Sequence, residues 1–262
     1  MSKAEPQVIN IDLDTLWEPA ALGLRRGYVF TGLGINAASD DRLVDFHLPG
    51  LLKIPFVPDN VTPQQVADFK IAFHSWIVAN GFREVVEAFG ISLDRSYEAC
   101  LLVRFVKSGV PLTKKQARRF QYSGIEEKLR ILEAELNIVS RSGAYLVSIN
   151  RARNCLSHRM GLIGPQDCNE PGKLVLCYKR LEILDGDENV IPVDEPRSYV
   201  VKEGDIKLRF AEARKEFVLG SVLQLSHIDL KYIFYTMSES GLEMKHSIQK
   251  FFEESGVQVK IR

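Results

Sequence analysis

The chain has 262 residues, 45% hydrophobic and 26% charged, and its 34 basic residues are matched by 34 acidic ones. That length suffices for one large or two small domains with a buried core. The charge balance excludes a histone-like or polybasic nucleic-acid binder, so any RNA contact has to come from a local patch.

The N-terminus, MSKAEPQVINIDLDTLWEP, carries acid and proline where a secretory leader needs an apolar run. No window approaches the roughly 18 apolar residues of a membrane helix, so a soluble, cytoplasmic protein is expected. Cys100, Cys155, Cys168 and Cys177 form no CxxC pair and have no histidine at zinc-like spacing. They read as free thiols in a reducing compartment, and neither a metal site nor a cofactor is expected.

Taken in chain order, residues 1–61 are rich in proline, glycine and aspartate and read as an irregular arm. Gly27–Phe30 and Leu52–Val57 are its candidate short strands. Gly32, Gly34 and Ala37 match a G-x-G-x-x-A fingerprint, but Asp40, Asp41, Pro49 and Pro55 leave little room for the helix that a dinucleotide site needs. A turn is the better reading. Thr62 followed by Pro63 starts a helix: a side-chain cap, then a residue whose missing N–H costs nothing there. Val66, Phe69, Phe73, Trp76 and Ile77 recur at helical spacing, and Gly90 is expected to stop or bend this helix. Further helices are expected over Ser96–Val106, Thr113–Glu135 and Ser142–Met160, the last with Leu146, Ile149, Ala152, Leu156 and Met160 as its apolar stripe and Gly161 as a left-handed cap. Four amphipathic helices in about 100 residues read as a bundle. Beyond Met160, residues 161–173 are a loop, Leu174–Leu184 and Val190–Val193 a β-hairpin, and Phe217–Leu225 a further strand. Ser226–Asp229 is a capping box opening a helix to about Ser255.

The segment with chemical meaning is Arg153-Asn154-Cys155-Leu156-Ser157-His158. At about 100° per residue, Arg151, Asn154 and His158 gather opposite the apolar stripe, with Arg153 on its flank. Guanidinium grips phosphate oxygens in a planar fork, and imidazole both takes and gives a proton near neutral pH. An ordinary solvated helix face explains the same residues.

Arg153, Asn154 and His158, near the end of the last helix of a four-helix unit, resemble the HEPN domain, in the subset with an Arg-polar-x-x-x-His motif. Arg151 with His158 fits a looser spacing, and Asn154 directly after Arg153 favours Arg153. The resemblance covers residues 62–163. It implies an HEPN-like four-helix bundle over 62–163; with the flanks read above, which it does not explain, the chain is expected to be mainly α (α+β), with an irregular N-terminal arm over 1–61 and an appended β-hairpin and helices over 164–262. It also implies metal-independent RNA cleavage at a site shared by a homodimer, in which His158 moves protons, Arg153 holds the scissile phosphate and Asn154 orients His158 or contacts the backbone. Arg151, Arg159, Lys114 and Lys115 would help to bind substrate. Many relatives are toxins or defence nucleases with a cognate antitoxin or other partner protein. Others have lost activity and serve as dimerising modules that bind nucleotide or protein.

Lys114-Lys115-Gln116-Ala117-Arg118-Arg119-Phe120 is a basic cluster able to track an RNA backbone, or simply the solvated first turn of a helix. Glu84 and Glu87, three residues apart on the first expected helix, are positioned to pair with an arginine of the motif helix.

Overall fold

The computed structural model describes residues 11–42, 61–111, 113–191, 206–256 and the backbone of 259–260. A two-residue strand β1 (Ile11–Asp12) leads into the first helix, α1 (Leu13–Ser39). Asp12 caps α1, its carboxylate accepting from the N–H groups of Asp14 and Thr15. The irregular arm expected over 1–61 is therefore a 27-residue helix from 13 to 39, and both the Gly27–Phe30 strand and the turn at Gly32–Ala37 fall inside it. The Leu52–Val57 strand lies outside the described residues.

Proline and glycine suggest irregularity, but Pro19, Gly23 and Gly27 are accommodated by the neighbouring helix α2 (Pro63–Ser108). Pro19 has no N–H to give the Thr15 carbonyl. Arg95 Nη1 supplies that donor at 3.3 Å, and the next amide, Ala20 N–H, donates to Ser92 Oγ at 3.0 Å. The glycines permit close approach. A Cβ on Gly23 would lie 2.1 Å from Ala88 Cβ, one on Gly27 2.4 Å from Val85 Cγ2, and one on Gly81 2.0 Å from Thr31 Oγ1. These pairs run antiparallel along the two helices, so the backbones meet where side chains are missing.

Helix α2 starts at Thr62–Pro63 with a full capping box, as expected, Thr62 exchanging hydrogen bonds with Gln65. It then runs 46 residues, straight through Gly90 to a left-handed Gly109. Gly90 does not stop it; beside it Lys128, whose side chain is 5% exposed, donates to the Gly90 carbonyl at 3.4 Å and to Asp94 at 2.6 Å. The single helix expected over 113–135 is two, α3 (Lys114–Gln121) and α4 (Ile125–Leu136). Buried Phe120 closes α3 by stacking on Tyr97 of α2, ring centroids 4.1 Å apart. Helix α5 (Gly143–Arg159) follows.

The long hairpin partner of β2 (Lys173–Leu184) is β4 (Lys207–Val218), in antiparallel register from Lys173↔Val218 to Leu184↔Lys207. Of the second arm expected over Val190–Val193, Val190–Ile191 form the strand β3 on the other side of β2, and the last two positions lie outside the described residues. The strand expected over Phe217–Leu225 is thus the end of β4 and the turn after it. Helix α6 (His227–Glu254) begins at the expected capping box of Ser226 and Asp229. A last strand, β5 (Val259–Lys260), pairs parallel to β1. Helices α5 and α6 pack on β2, and α6 also lies against α1 and α2. One continuous core therefore joins Trp17, Phe82, Phe89, Ile149, Leu174, Met237 and Phe252.

Asp229 ties α6 to the sheet. It accepts from Tyr178 Oη and Lys215 Nζ, both at 2.5 Å, and from Ser226 N and Oγ at 2.7 and 2.8 Å. Burial pushes its carboxyl up, but the donors from Lys215, Tyr178 and Ser226 together hold it below the ordinary carboxylate value. A carboxyl depressed on folding adds stability above its unfolded value near 3.9 that is lost as pH falls through the folded one. Asp229→Asn is therefore expected to remove about 2–3 kcal/mol at pH 7 and to flatten the acid limb of stability below about pH 4. Urea melts across pH check this; a variant keeping the wild-type acid limb refutes it.

Gly23→Ala is expected to destabilise by about 1–2 kcal/mol, the overlap with Ala88 outweighing the roughly 1 kcal/mol that alanine gains in a helix. Denaturant unfolding decides, and a stabilised variant would show that α1 and α2 do not meet so closely.

Candidate functional site

Helix α5 carries the motif and is held at both ends. No side chain of its own caps its start. Glu243 of α6 does so instead, accepting from Arg141 N–H at 2.5 Å and Ser142 N–H at 2.9 Å, which places an anion at the positive end of the helix dipole. Midway, Ser148 Oγ bonds both the carbonyl and the amide of Cys177 on β2 at 3.1 Å. At the far end His158 and Arg159 occupy the last turn, where cations suit the dipole.

The end differs from expectation by one residue. Met160 is itself left-handed, with φ 51°, and Gly161 follows at φ 82°. The left-handed turn swings Met160 out of the apolar stripe, so it is 94% exposed. Leu162, bridged to Val222, and Leu219 continue an exposed apolar patch from Met160.

Within the motif, Arg153 lies on the flank facing α2, its side chain 18% exposed. Its Nη2 reaches Glu87 Oε1 at 2.6 Å, and its Nη1 donates to Asn154 Oδ1 at 2.9 Å. Asn154 thus holds Arg153, and no hydrogen bond joins it to His158. His158 is exposed, without a hydrogen bond or ion pair among the described residues. The pairing expected for Glu87 is present, whereas Glu84 pairs with Arg26 of α1.

The other two motif arginines are also engaged. Arg151 meets Glu126 of α4 at 3.2 Å and the Cys168 carbonyl at 3.5 Å. Arg159 grips Asp167 through Nε at 2.7 Å and through Nη2. Asp167 is 1% exposed and also accepts from Gly164 N–H at 2.9 Å, so this pair pins the loop after α5. Nothing in the sequence marked Asp167 or Glu243, because both come from segments distant from α5 in the chain or in a loop without a motif. Cys155 points into the core, and burial, with Asp167 nearby, pushes its thiol up to about 11, so it is no nucleophile.

Lys114 and Lys115 stand exposed at the start of α3, which packs on α2 and α4, and no hydrogen bond or ion pair joins them to the motif. Among the described residues no group of three or more His, Cys, Asp or Glu is placed to hold a metal ion, and no helix is long and apolar enough to cross a membrane. A cavity of about 990 Å³ opens between α1 and α6, lined by Trp17, Leu24, Tyr28, Phe210, Tyr235 and Leu242; it contains no motif residue. Of the motif, His158 lies on exposed surface, while Arg153 is largely covered beside α2. In comparisons with family models, with curated proteins and with solved structures, the chain has no match.

Asp167→Asn is expected to lower stability by about 1–3 kcal/mol, because Arg159 loses a buried, charged acceptor. Thermal or urea unfolding checks this. A variant as stable as wild type would mean that the pair does not organise the loop.

Proposed function

We propose that the chain is an HEPN-like, metal-independent endoribonuclease that acts as a homodimer. The observation that carries this is the surface at the end of α5. His158 is exposed and unpaired, one turn beyond the linked Arg153 and Asn154, and directly before the exposed Met160, Leu162 and Val222. Apolar side chains clustered on an open surface favour burial against another molecule. A two-fold contact made by this patch would bring the His158 side chains of two copies near one cleft.

In that cleft one His158 takes the proton of a ribose 2′-OH while the 2′-oxygen attacks the adjacent phosphorus. The second His158 gives its proton to the departing 5′-oxygen. The products are a 2′,3′-cyclic phosphate and a 5′-hydroxyl, with no water consumed. Arg153 stabilises the charge that grows on the phosphoryl oxygens. Asn154, bonded to Arg153, positions that guanidinium and leaves the imidazole free. A toxin or defence nuclease paired with an antitoxin is the biological setting that this chemistry suits.

One observation favours a second reading, a non-catalytic module that dimerises and binds nucleotide or protein. Arg151, Arg153 and Arg159 are each paired with a carboxylate, which leaves none of the three free for phosphate.

The test is cleavage of single-stranded and folded RNA by purified protein in EDTA, beside His158→Ala, Arg153→Ala and Leu162→Glu. Chelator-resistant cutting with cyclic phosphate ends is expected for wild type. Loss of about 100-fold or more is expected for His158→Ala, together with a shift to monomer and loss of cutting for Leu162→Glu. Cutting that survives His158→Ala would refute the assignment. Inertness of every protein on both RNAs moves the binding-module reading ahead.

A further inference from the structure

The Arg153–Glu87 pair is unlike the Arg159–Asp167 pair two turns away in design. Asp167 is buried and takes both Nε and Nη2 of its arginine, so that guanidinium is locked. Glu87 is half exposed and takes only Nη2 of Arg153 through one oxygen. The adjacent Nε–H of Arg153 is buried without any acceptor. The edge of a guanidinium that grips a phosphate bidentately is formed by such neighbouring N–H groups. On Arg153 that edge is half used, and the group using it is a carboxylate able to swing into solvent.

We propose that Glu87 is a displaceable latch on Arg153: an internal anion that holds the guanidinium against α2 until a nucleic-acid phosphate replaces it. The inference rests on the ribonuclease reading for its substrate, though not for its test. In the latched state the Arg153 charge is neutralised and its edge is turned to α2. A phosphate offers two oxygens where Glu87 places one, and so satisfies Nε–H as well as Nη2–H. Asn154 keeps its bond to Nη1 throughout and serves as the pivot, which explains why the position beside Arg153 carries an amide acceptor on the same helix. Substrate phosphate and Glu87 compete for one site, so removing the carboxylate charge must tighten phosphate binding without adding any group that takes part in chemistry. Glu84, one turn earlier on α2 and paired with Arg26, carries the same charge without touching Arg153.

The experiment compares the full chain with Glu87→Gln and with Glu84→Gln. It measures the Kd for a fluorescent single-stranded DNA oligonucleotide, which lacks the 2′-OH and cannot be cut, and kcat and KM on the matching RNA. Glu87→Gln is expected to lower Kd and KM about fivefold, the ceiling for a half-exposed ion pair, with kcat within twofold of wild type. Glu84→Gln, reporting the loss of one negative charge alone, is expected to shift Kd by less than twofold. Binding that tightens in Glu87→Gln while no protein cuts RNA upholds the latch and removes the ribonuclease reading. RNA cleavage with an unmoved Kd overturns the latch and leaves that reading standing. Equal tightening in both variants overturns the latch as a bulk charge effect. Failure of every protein to bind the oligonucleotide overturns the latch, and it overturns the ribonuclease reading only where RNA is uncut as well.

Discussion

A single methyl group placed on Gly23 would sit 2.1 Å from Ala88 Cβ, and one on Gly81 would meet Thr31 Oγ1 at 2.0 Å. The contact between α1 and α2 is thus backbone to backbone, and the rest of the molecule is arranged around it. Gly23 and Gly27 on one helix and Gly81 on the other remove the side chains that ordinarily separate two helices. Ser92 and Arg95 then reach across to satisfy the groups that Pro19 leaves open. With that side of α2 sealed, its remaining faces are free for α4, α5 and α6. Its 46-residue length carries Glu87 opposite the motif, Asp94 opposite Lys128 and Tyr97 beneath Phe120.

Charges near the motif helix are graded by burial, and the grade sorts locked pairs from loosely held ones. Arg159 with Asp167 is a locked pair with a buried acid. Lys128 with Asp94 is likewise buried, and its ammonium lies 5.4 Å from the centre of the Phe120 ring. Ion pairs of this kind are hard to break, because separation leaves a buried charge without a partner. Arg153 with Glu87 and Arg151 with Glu126 have exposed acids, and such pairs contribute little and exchange partners readily. The balanced net charge of the chain is therefore resolved locally: Arg151 and Arg153 each sit beside a carboxylate that solvent can reach.

The apolar stripe, the capping box at Thr62–Gln65 and the one at Ser226–Asp229 were legible because each depends only on neighbours in sequence. Strand β2 was legible from its buried alternation, but β4 was not. In KLRFAEARKEFV eight of the twelve residues are exposed and Phe217 alone is buried, and its cross-strand neighbours include ion pairs such as Lys173–Glu216 and Glu182–Arg209, so it shows no apolar face. Helix α1 is hidden in the sequence because proline and glycine are local breakers, whereas here the partner helix answers Pro19, Gly23, Gly27 and Gly34. The spacing of Gly23, Gly27 and Thr31, small residues every fourth position, was the available signal. The break between α3 and α4 falls at Ser123 and Gly124, the latter in extended conformation as the cap of α4, while Phe120 stacks on Tyr97 at the end of α3.

The sequence by itself determined that α5 is helical, which residues share its polar face, and that Arg153, Asn154 and His158 stand together near its end. Helical periodicity is a property of the local backbone, so residue spacing suffices for such statements. Only the tertiary structure decided which of these groups are free. That Glu87 and Asn154 hold Arg153, that a buried Asp167 locks Arg159, that Glu243 caps α5 and that Met160 turns outward all depend on segments brought together by the core. Charge pairing and exposure are relations between distant parts of the chain, fixed by packing, and no local spacing encodes them.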